Sequence, residues 1–249
     1  MSQKDLVRQA ISELFDKRDV TAVDRYWSPE YVEHSLWGGA GLDGLRQAVS
    51  TLPDGFRHER VRMLSEGDLV VVHGLYHGFG ADPGAACDLW RVEDDKIVEH
   101  WDGYQPWVAT NPSGHSMTDG PAEVTAPGQT ASSKQVVQGF VELIMMGGDR
   151  SQLPRFFEGD HFIQHNPVIA DGVSGLGEAI QAGVWAAVVE RCHRVVADGE
   201  FVFTQAEGTL HNEPTAFYDL FRVEDGKLAE HWDVVFTQPE KLPSGNDLF

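Results

Sequence analysis

Five polar residues in the first half of the chain, His34, His73, Asp88, His100 and Asp102, sit in or beside apolar, strand-like sequence. Histidine titrates near neutrality, and a carboxylate beside it can fix its tautomer or act as the base, so the set has the makings of a general acid–base site. A single histidine in a strand is more often a hydrogen-bonded structural residue; here the number and kind of groups point to chemistry. His34, His73, Asp88 and His100 would also suit an open divalent-metal site, but no tight spacing such as His-x-x-x-His supports one.

Much of this set occurs twice. Residues 31–47, YVEHSLWGGAGLDGLRQ, align without a gap on 162–178, FIQHNPVIADGVSGLGE, and DLWRVEDDKIVEHWD (88–102) aligns on DLFRVEDGKLAEHWD (219–233). Both pairs have the same offset, 131 residues, as from His34 to His165. The chain is therefore a duplication. Between the copies, residues 110–132 are rich in Pro, Gly, Ser and Thr and read as a connector, which puts the first domain at 1–109 and the second at 133–249.

Each copy has to place these groups with the same order of elements. Helical spacing covers 3–17 and 133–147, a short helix over 20–28 is expected to stop at Pro29, and a third runs from Gly41 to Pro53. Extended runs follow over 60–79 and 193–210, then a hairpin over 87–102 and again over 218–233, where Asp-Asp and Asp-Gly mark the turn. Helices followed by a meander make each half α+β. The hairpin register is open: a bulged turn over 93–95 puts Asp88 opposite His100, whereas a two-residue turn puts it opposite Trp101. In either register Asp88 alternates with Trp90 and Asp219 with Phe221, so each carboxylate shares a face with a large aromatic and its pKa is expected to rise toward neutrality. Trp101 and Trp232 read as core, and Glu99 and Asp102 as solvated or paired with Arg91. Trp37, Trp90, Tyr76 and Phe79 suggest an apolar or aromatic ligand, although aromatics at strand spacing are more often core.

The chain's 249 residues carry 19 Lys and Arg against 39 Asp and Glu, a formal charge of −20 that repels nucleic acid and anionic membranes. The N-terminus is amphipathic without a signal-peptide core and no run approaches a bilayer span, so a cytoplasmic protein is expected. Cys87 and Cys192 lie far apart, outside any metal-type spacing, and read as small core residues.

The combination of His-Asn-Pro (165–167) before a Gly-Leu helix, Gly-Asp-Leu-Val-Val-Val-His (67–73), Asp-Leu-Phe-Arg (219–222) and Glu-His-Trp-Asp resembles the SnoaL-like branch of the nuclear transport factor 2-like superfamily. That branch sits with polyketide cyclases, ketosteroid isomerase and scytalone dehydratase relatives. The resemblance implies, in each copy, a cone of about three helices against a strongly curved sheet with an internal pocket. It further implies a cofactor-free lyase, isomerase or cyclase in which Asp88 is the base, His73 assists it, and His34 and His100 line the pocket. Trp37, Trp90 and Tyr76 are then candidate substrate contacts, as are His165, Gln205, Asp219 and His231 in the second copy. There Gln205 takes the place of His73 and cannot shuttle a proton near pH 7, which favours the first pocket as the catalyst. Relatives of this kind commonly dimerise, so an intramolecular pseudo-dimer or a homo-oligomer is also implied.

Overall fold

Ser2 starts the first helix: its hydroxyl accepts a hydrogen bond from the Asp5 N–H, and Leu6, Val7, Ala10 and Ile11 form the buried side of α1 (Gln3–Ile11). In the computed structural model, which describes residues 1–249, a wider helical turn over Ser12–Asp16 and the short α2 (Ala22–Tyr26) follow. The expected helix to residue 28 ends early, because β1 (Trp27–His34) already begins at Trp27. Pro29 lies inside β1, and its missing N–H is tolerated because β1 is an edge strand whose register breaks between Trp27 and Val32.

After α3 (Gly41–Thr51) come β2 (Arg57–Glu66), β3 (Leu69–His77), β4 (Gly84–Glu93) and β5 (Lys96–Pro106), in the sheet order β1-β5-β4-β3-β2. Only β1 is parallel to its neighbour. One face of the sheet packs Val70, Val72 and Trp90 against Leu6, Val7, Ile11, Leu45 and Val49 of the helices. Each such side chain is worth ~1.5–3 kcal/mol when buried, so a register slip that turned this face outward would be prohibitive.

The turn that sets the register is Asp94-Asp95, both with positive φ (48° and 58°), as a two-residue hairpin requires. It acts together with a bulge: Val92 pairs Ile97 while Arg91 pairs Glu99. The outcome is neither expected pairing. Asp88 lies opposite Asp102, and His100 lies opposite Trp90.

The second copy repeats this plan with α4 (Thr130–Phe140), β6 (Ile163–Gln164), α5 (Gly172–Gln181), β7 (Ala187–Asp198), β8 (Phe201–Leu210), β9 (Glu213–Glu224) and β10 (Lys227–Thr237). Its sheet order is β6-β10-β9-β8-β7, and Asp219 lies opposite Asp233. Each copy is thus an α+β cone of helices on a five-stranded sheet.

The chain divides into two units, Met1–Pro106 with Gln238–Phe249, and Trp107–Thr237. Residues 110–132, poor in large apolar groups, are nevertheless docked on the second unit by polar contacts. Asn111 Nδ2 donates to the His165 carbonyl, Trp232 Nε1 to the Asp119 carbonyl, and the Glu200 carboxylate accepts from Thr125 and Ala126. No helix is long and apolar enough to cross a membrane.

Candidate active site

Strand alternation decides which polar side chains meet. Opposed residues share a face, so the pairs Val72 with Asp88, Asp88 with Asp102 and Trp90 with His100 place Asp88, His100 and Asp102 on the helix-facing side of the first sheet. Because Glu33 aligns with His100 on the parallel edge, Glu33 points the same way. A bulge between Arg60 and Arg62 sets His58 opposite Tyr76, on this same side. Gly74 permits that bulge, since a Cβ there would overlap the Glu59 carbonyl.

These groups form one buried network. The His100 ring donates from Nδ1 to Glu33 Oε1 (2.8 Å) and from Nε2 to Asp88 Oδ1 (3.1 Å), and it stacks on Trp90 with ring centres 3.6 Å apart. Tyr76 Oη also donates to Asp88 Oδ1 (2.5 Å), while His58 Nε2 stands 3.4 Å from Asp88 Oδ2. Asp102 accepts from Ser35 Oγ (2.6 Å) and the Leu36 N–H (2.8 Å).

The two opposed carboxyls differ in proton affinity. Burial alone would raise Asp88, but the neighbouring His58 and the hydrogen bonds from His100 and Tyr76 outweigh it and hold the group below its usual range. The expectation of a raised Asp88 is therefore corrected: the aromatic neighbours come with cationic and donor partners. Asp102 is the raised carboxyl, pushed to about 7 by burial, with the Asp88 charge contributing. His100 is pushed to about 10: burial pulls it down, but Glu33 and Asp88 more than compensate, so it is an imidazolium at neutral pH.

A cavity of about 270 Å³ opens onto this network. Asp88, His100, Asp102, Glu33, Ser35 and Tyr76 form its polar end, and Leu45, Leu52 and Phe56 contribute apolar wall. Trp37, 42% exposed, also lines it and stacks on Phe79 with ring centres 5.2 Å apart. A larger, open depression on the second unit, about 530 Å³, is lined by turn residues such as Glu224 and Asp225 and by none of the candidate groups.

Three expected members of the site lie elsewhere. His73 pairs with Cys87 and Arg62 on the opposite face of the sheet, where its Nδ1 is 3.2 Å from Arg62 Nη1, so it cannot assist Asp88; His58 occupies that place. His34 aligns with Trp101, also on the opposite face, and stacks on it at 5.0 Å. The side chains that enter the cavity are its neighbours Glu33 and Ser35. Trp90 is core, packed edge-on to Trp27 and supporting His100 from behind. The His34, His73, Asp88 and His100 metal set accordingly does not converge, since two members lie on each face.

In the second unit His231 bridges Gln164 Oε1 (2.8 Å) and Asp219 Oδ1 (2.9 Å), and Asn166 Nδ2 donates to Asp233 Oδ2 (2.6 Å). Burial raises Asp233 to about 6. His231 is also raised, because its partner Asp219 outweighs burial. Register places Val189 opposite Gly208 where the first unit has His58 opposite Tyr76, so Asp219 keeps the histidine partner and lacks the other two side chains that surround Asp88. Gln205 is on the far face, held by Arg194 (2.7 Å) and donating to Tyr218 Oη (2.7 Å), and His165 stacks on Trp232; neither stands with Asp219.

Glu33, Ser35 and His58 were not legible as site residues. Asp102 was, in part: it follows Asp88 across a tight hairpin within the repeated Glu-His-Trp-Asp.

Each copy is thus a set of helices on a five-stranded sheet, and in the first copy titratable groups gather at one end of a cavity between them. Residues 7–100 match the SnoaL-like domain family. No curated protein matches the chain. Among solved structures, TsrD from Streptomyces laurentii is 21% identical, covering 42% of this chain and 92% of its own, with a TM-score of 0.35. A protein from Acidithiobacillus ferrooxidans described as a polyketide cyclase is 20% identical over 41% of this chain and 89% of its own, at a TM-score of 0.35. A nuclear transport factor 2-like protein from Cytophaga hutchinsonii is 17% identical over 43% and 92%, at 0.37.

Proposed function

We propose that the first unit is a cofactor-free acid–base enzyme, a lyase, isomerase or cyclase that removes a proton α to the carbonyl of a small apolar compound. The observation that carries this reading is the opposed pair Asp88 and Asp102, two carboxyls at the polar end of one cavity with proton affinities driven apart. Such divergence is how one site supplies a base and an acid at the same pH.

Asp88, ionised and lining the cavity, takes the C–H proton. The electron pair moves onto the carbonyl oxygen. Asp102 in its protonated form donates to that oxygen, the Ser35 hydroxyl turning to accommodate the added proton. The His100 imidazolium balances the carboxylates and fixes Asp88, and Tyr76 and His58 complete its orientation. From the shared enolate, return of the proton to another carbon isomerises, loss of a β-hydroxyl dehydrates, and attack on a second carbonyl cyclises. The apolar wall and the Trp37 and Phe79 pair suit a small apolar or aromatic substrate.

The test is incubation in D2O with a panel of small cyclic ketones and β-dicarbonyl compounds, following deuterium entry at the α carbon by mass spectrometry. Catalysed exchange that Asp88→Asn lowers ~10²- to 10⁴-fold supports the reading. Tight binding of such compounds with no exchange would instead make the pocket a binding module.

A further inference from the structure

The duplication extends beyond the sheets. At the same offset of 131, the final segment Leu242-Pro-Ser-Gly-Asn-Asp-Leu248 falls on Asn111-Pro-Ser-Gly-His-Ser-Met117. Each copy therefore ends in an equivalent tail. The tail that follows the first copy, from Trp107, is part of the second unit, and the tail that follows the second copy, Gln238–Phe249, is part of the first unit.

The tails also make equivalent contacts. In the first unit the His34 ring meets the Asp247 carbonyl through Nδ1 (2.5 Å), and in the second the His165 ring meets the Ser116 carbonyl through Nδ1 (2.8 Å). His34 corresponds to His165, and Asp247 to Ser116. Each tail is seated by buried side chains, Leu242 and Leu248 in one and Asn111 and Met117 in the other. Asn246 Nδ2 adds a hydrogen bond to the Glu33 carbonyl (2.9 Å), and Asn111 Nδ2 one to the His165 carbonyl (3.0 Å).

We propose that the two copies exchange tails reciprocally, each C-terminal segment clamping the first strand of the sheet built by the other copy. The segment 238–249 thereby positions the first unit's acid–base cluster. It holds the backbone of Glu33, whose carboxylate holds His100, which in turn holds Asp88. His34, excluded from the cavity, gains a role as the residue on which the tail docks. The positioning role rests on the proposed function; the exchange itself does not.

Hydrogen–deuterium exchange of the full chain tests the exchange without any substrate. The double variant Leu242→Asp, Leu248→Asp is expected to speed amide exchange about tenfold over 31–36 and 97–102 of the first unit while leaving 162–178 and 228–233 unchanged. The variant Met117→Asp is expected to give the converse pattern. Loosening confined to the copy from which each tail extends, or no change in either, overturns the proposal. Should the aspartates unfold the chain, Asn246→Ala removes a single hydrogen bond, and its effect on the ¹⁵N resonances of the His34 and His165 rings replaces them. A shift at His34 alone supports the exchange, and a shift at His165 alone or at neither ring refutes it. If α-deuteration is catalysed, Asn246→Ala should lower kcat with KM unchanged. Catalysis that stays at wild-type kcat would leave the tail without a positioning role.

Discussion

Asp88 and Asp102 face each other across β4 and β5 at the end of the cavity, yet only Asp102 holds its proton up to pH 7. The difference lies in their neighbours. Asp88 has His58, His100 and Tyr76 around it, whereas Asp102 has one hydroxyl and one amide.

If Asp102 must be protonated to donate to the carbonyl oxygen, activity falls as pH rises through about 7. A kcat profile between pH 5 and 9 checks this, and Asp102→Asn should abolish that limb and lower kcat ~10²-fold or more. A profile flat through pH 7 would remove Asp102 from the chemistry.

The same group makes stability depend on pH. Its folded pKa of about 7 lies above its ordinary value of 3.8, so the native state binds the proton more tightly. Stability from this group is complete below about pH 4 and is lost as pH rises to about 7. Asp102→Asn, neutral throughout, should therefore have a higher Tm than the parent at pH 8 and gain less at pH 4. Thermal melts at the two pH values measure the difference.

His100 works in the opposite range. Its pKa is about 10 against an ordinary 6.5, so its stabilisation is complete below about pH 6.5 and is lost as pH rises through 10. Replacing it with alanine leaves Glu33 and Asp88 buried without their shared cation, at a cost of ~3–5 kcal/mol in urea unfolding. A loss under ~1 kcal/mol would show that the bridge contributes little.

Trp37 and Phe79 stack at a partly exposed part of the cavity wall and meet the network through ring contacts with Tyr76, with centres 6.0 and 6.3 Å apart. Trp37→Ala should raise KM about tenfold with kcat nearly unchanged, the pattern of lost uniform binding. A fall in kcat alone would contradict a pure binding role.

The second unit retains Asp219, His231 and Asp233 but has Gly208 and Val189 where the first has Tyr76 and His58. Asp219→Asn should leave activity toward the first unit's substrate within about twofold, while Asp88→Asn in the same assay removes it. Equal losses from both would make the two pockets partners in turnover.

The residues explain how far the sequence could be read. The duplication, the α+β order, the hairpin at Asp94-Asp95 and the nearness of Asp88 and His100 on that hairpin follow from local patterns, because a repeat and a period of two are visible in one dimension. Which neighbour faces the cavity does not follow. A bulge near Val61 turns His58 inward and one near Val98 brings His100 and Asp102 onto the face of Asp88, while the unbroken pairing of Val72 with Asp88 leaves His73 on the other face. At the end of β1 and just after it, Glu33 and Ser35 rather than His34 line the cavity.

By itself, then, the sequence determined two copies of one α+β cone, each with a carboxylate and histidine pair carried on a single hairpin. Only the tertiary structure decided which groups share a face, which carboxyl keeps its proton and to which unit each tail belongs. Face depends on register, proton affinity on burial and on neighbours from other strands, and tail placement on contacts between residues more than 200 positions apart, such as His34 and Asp247.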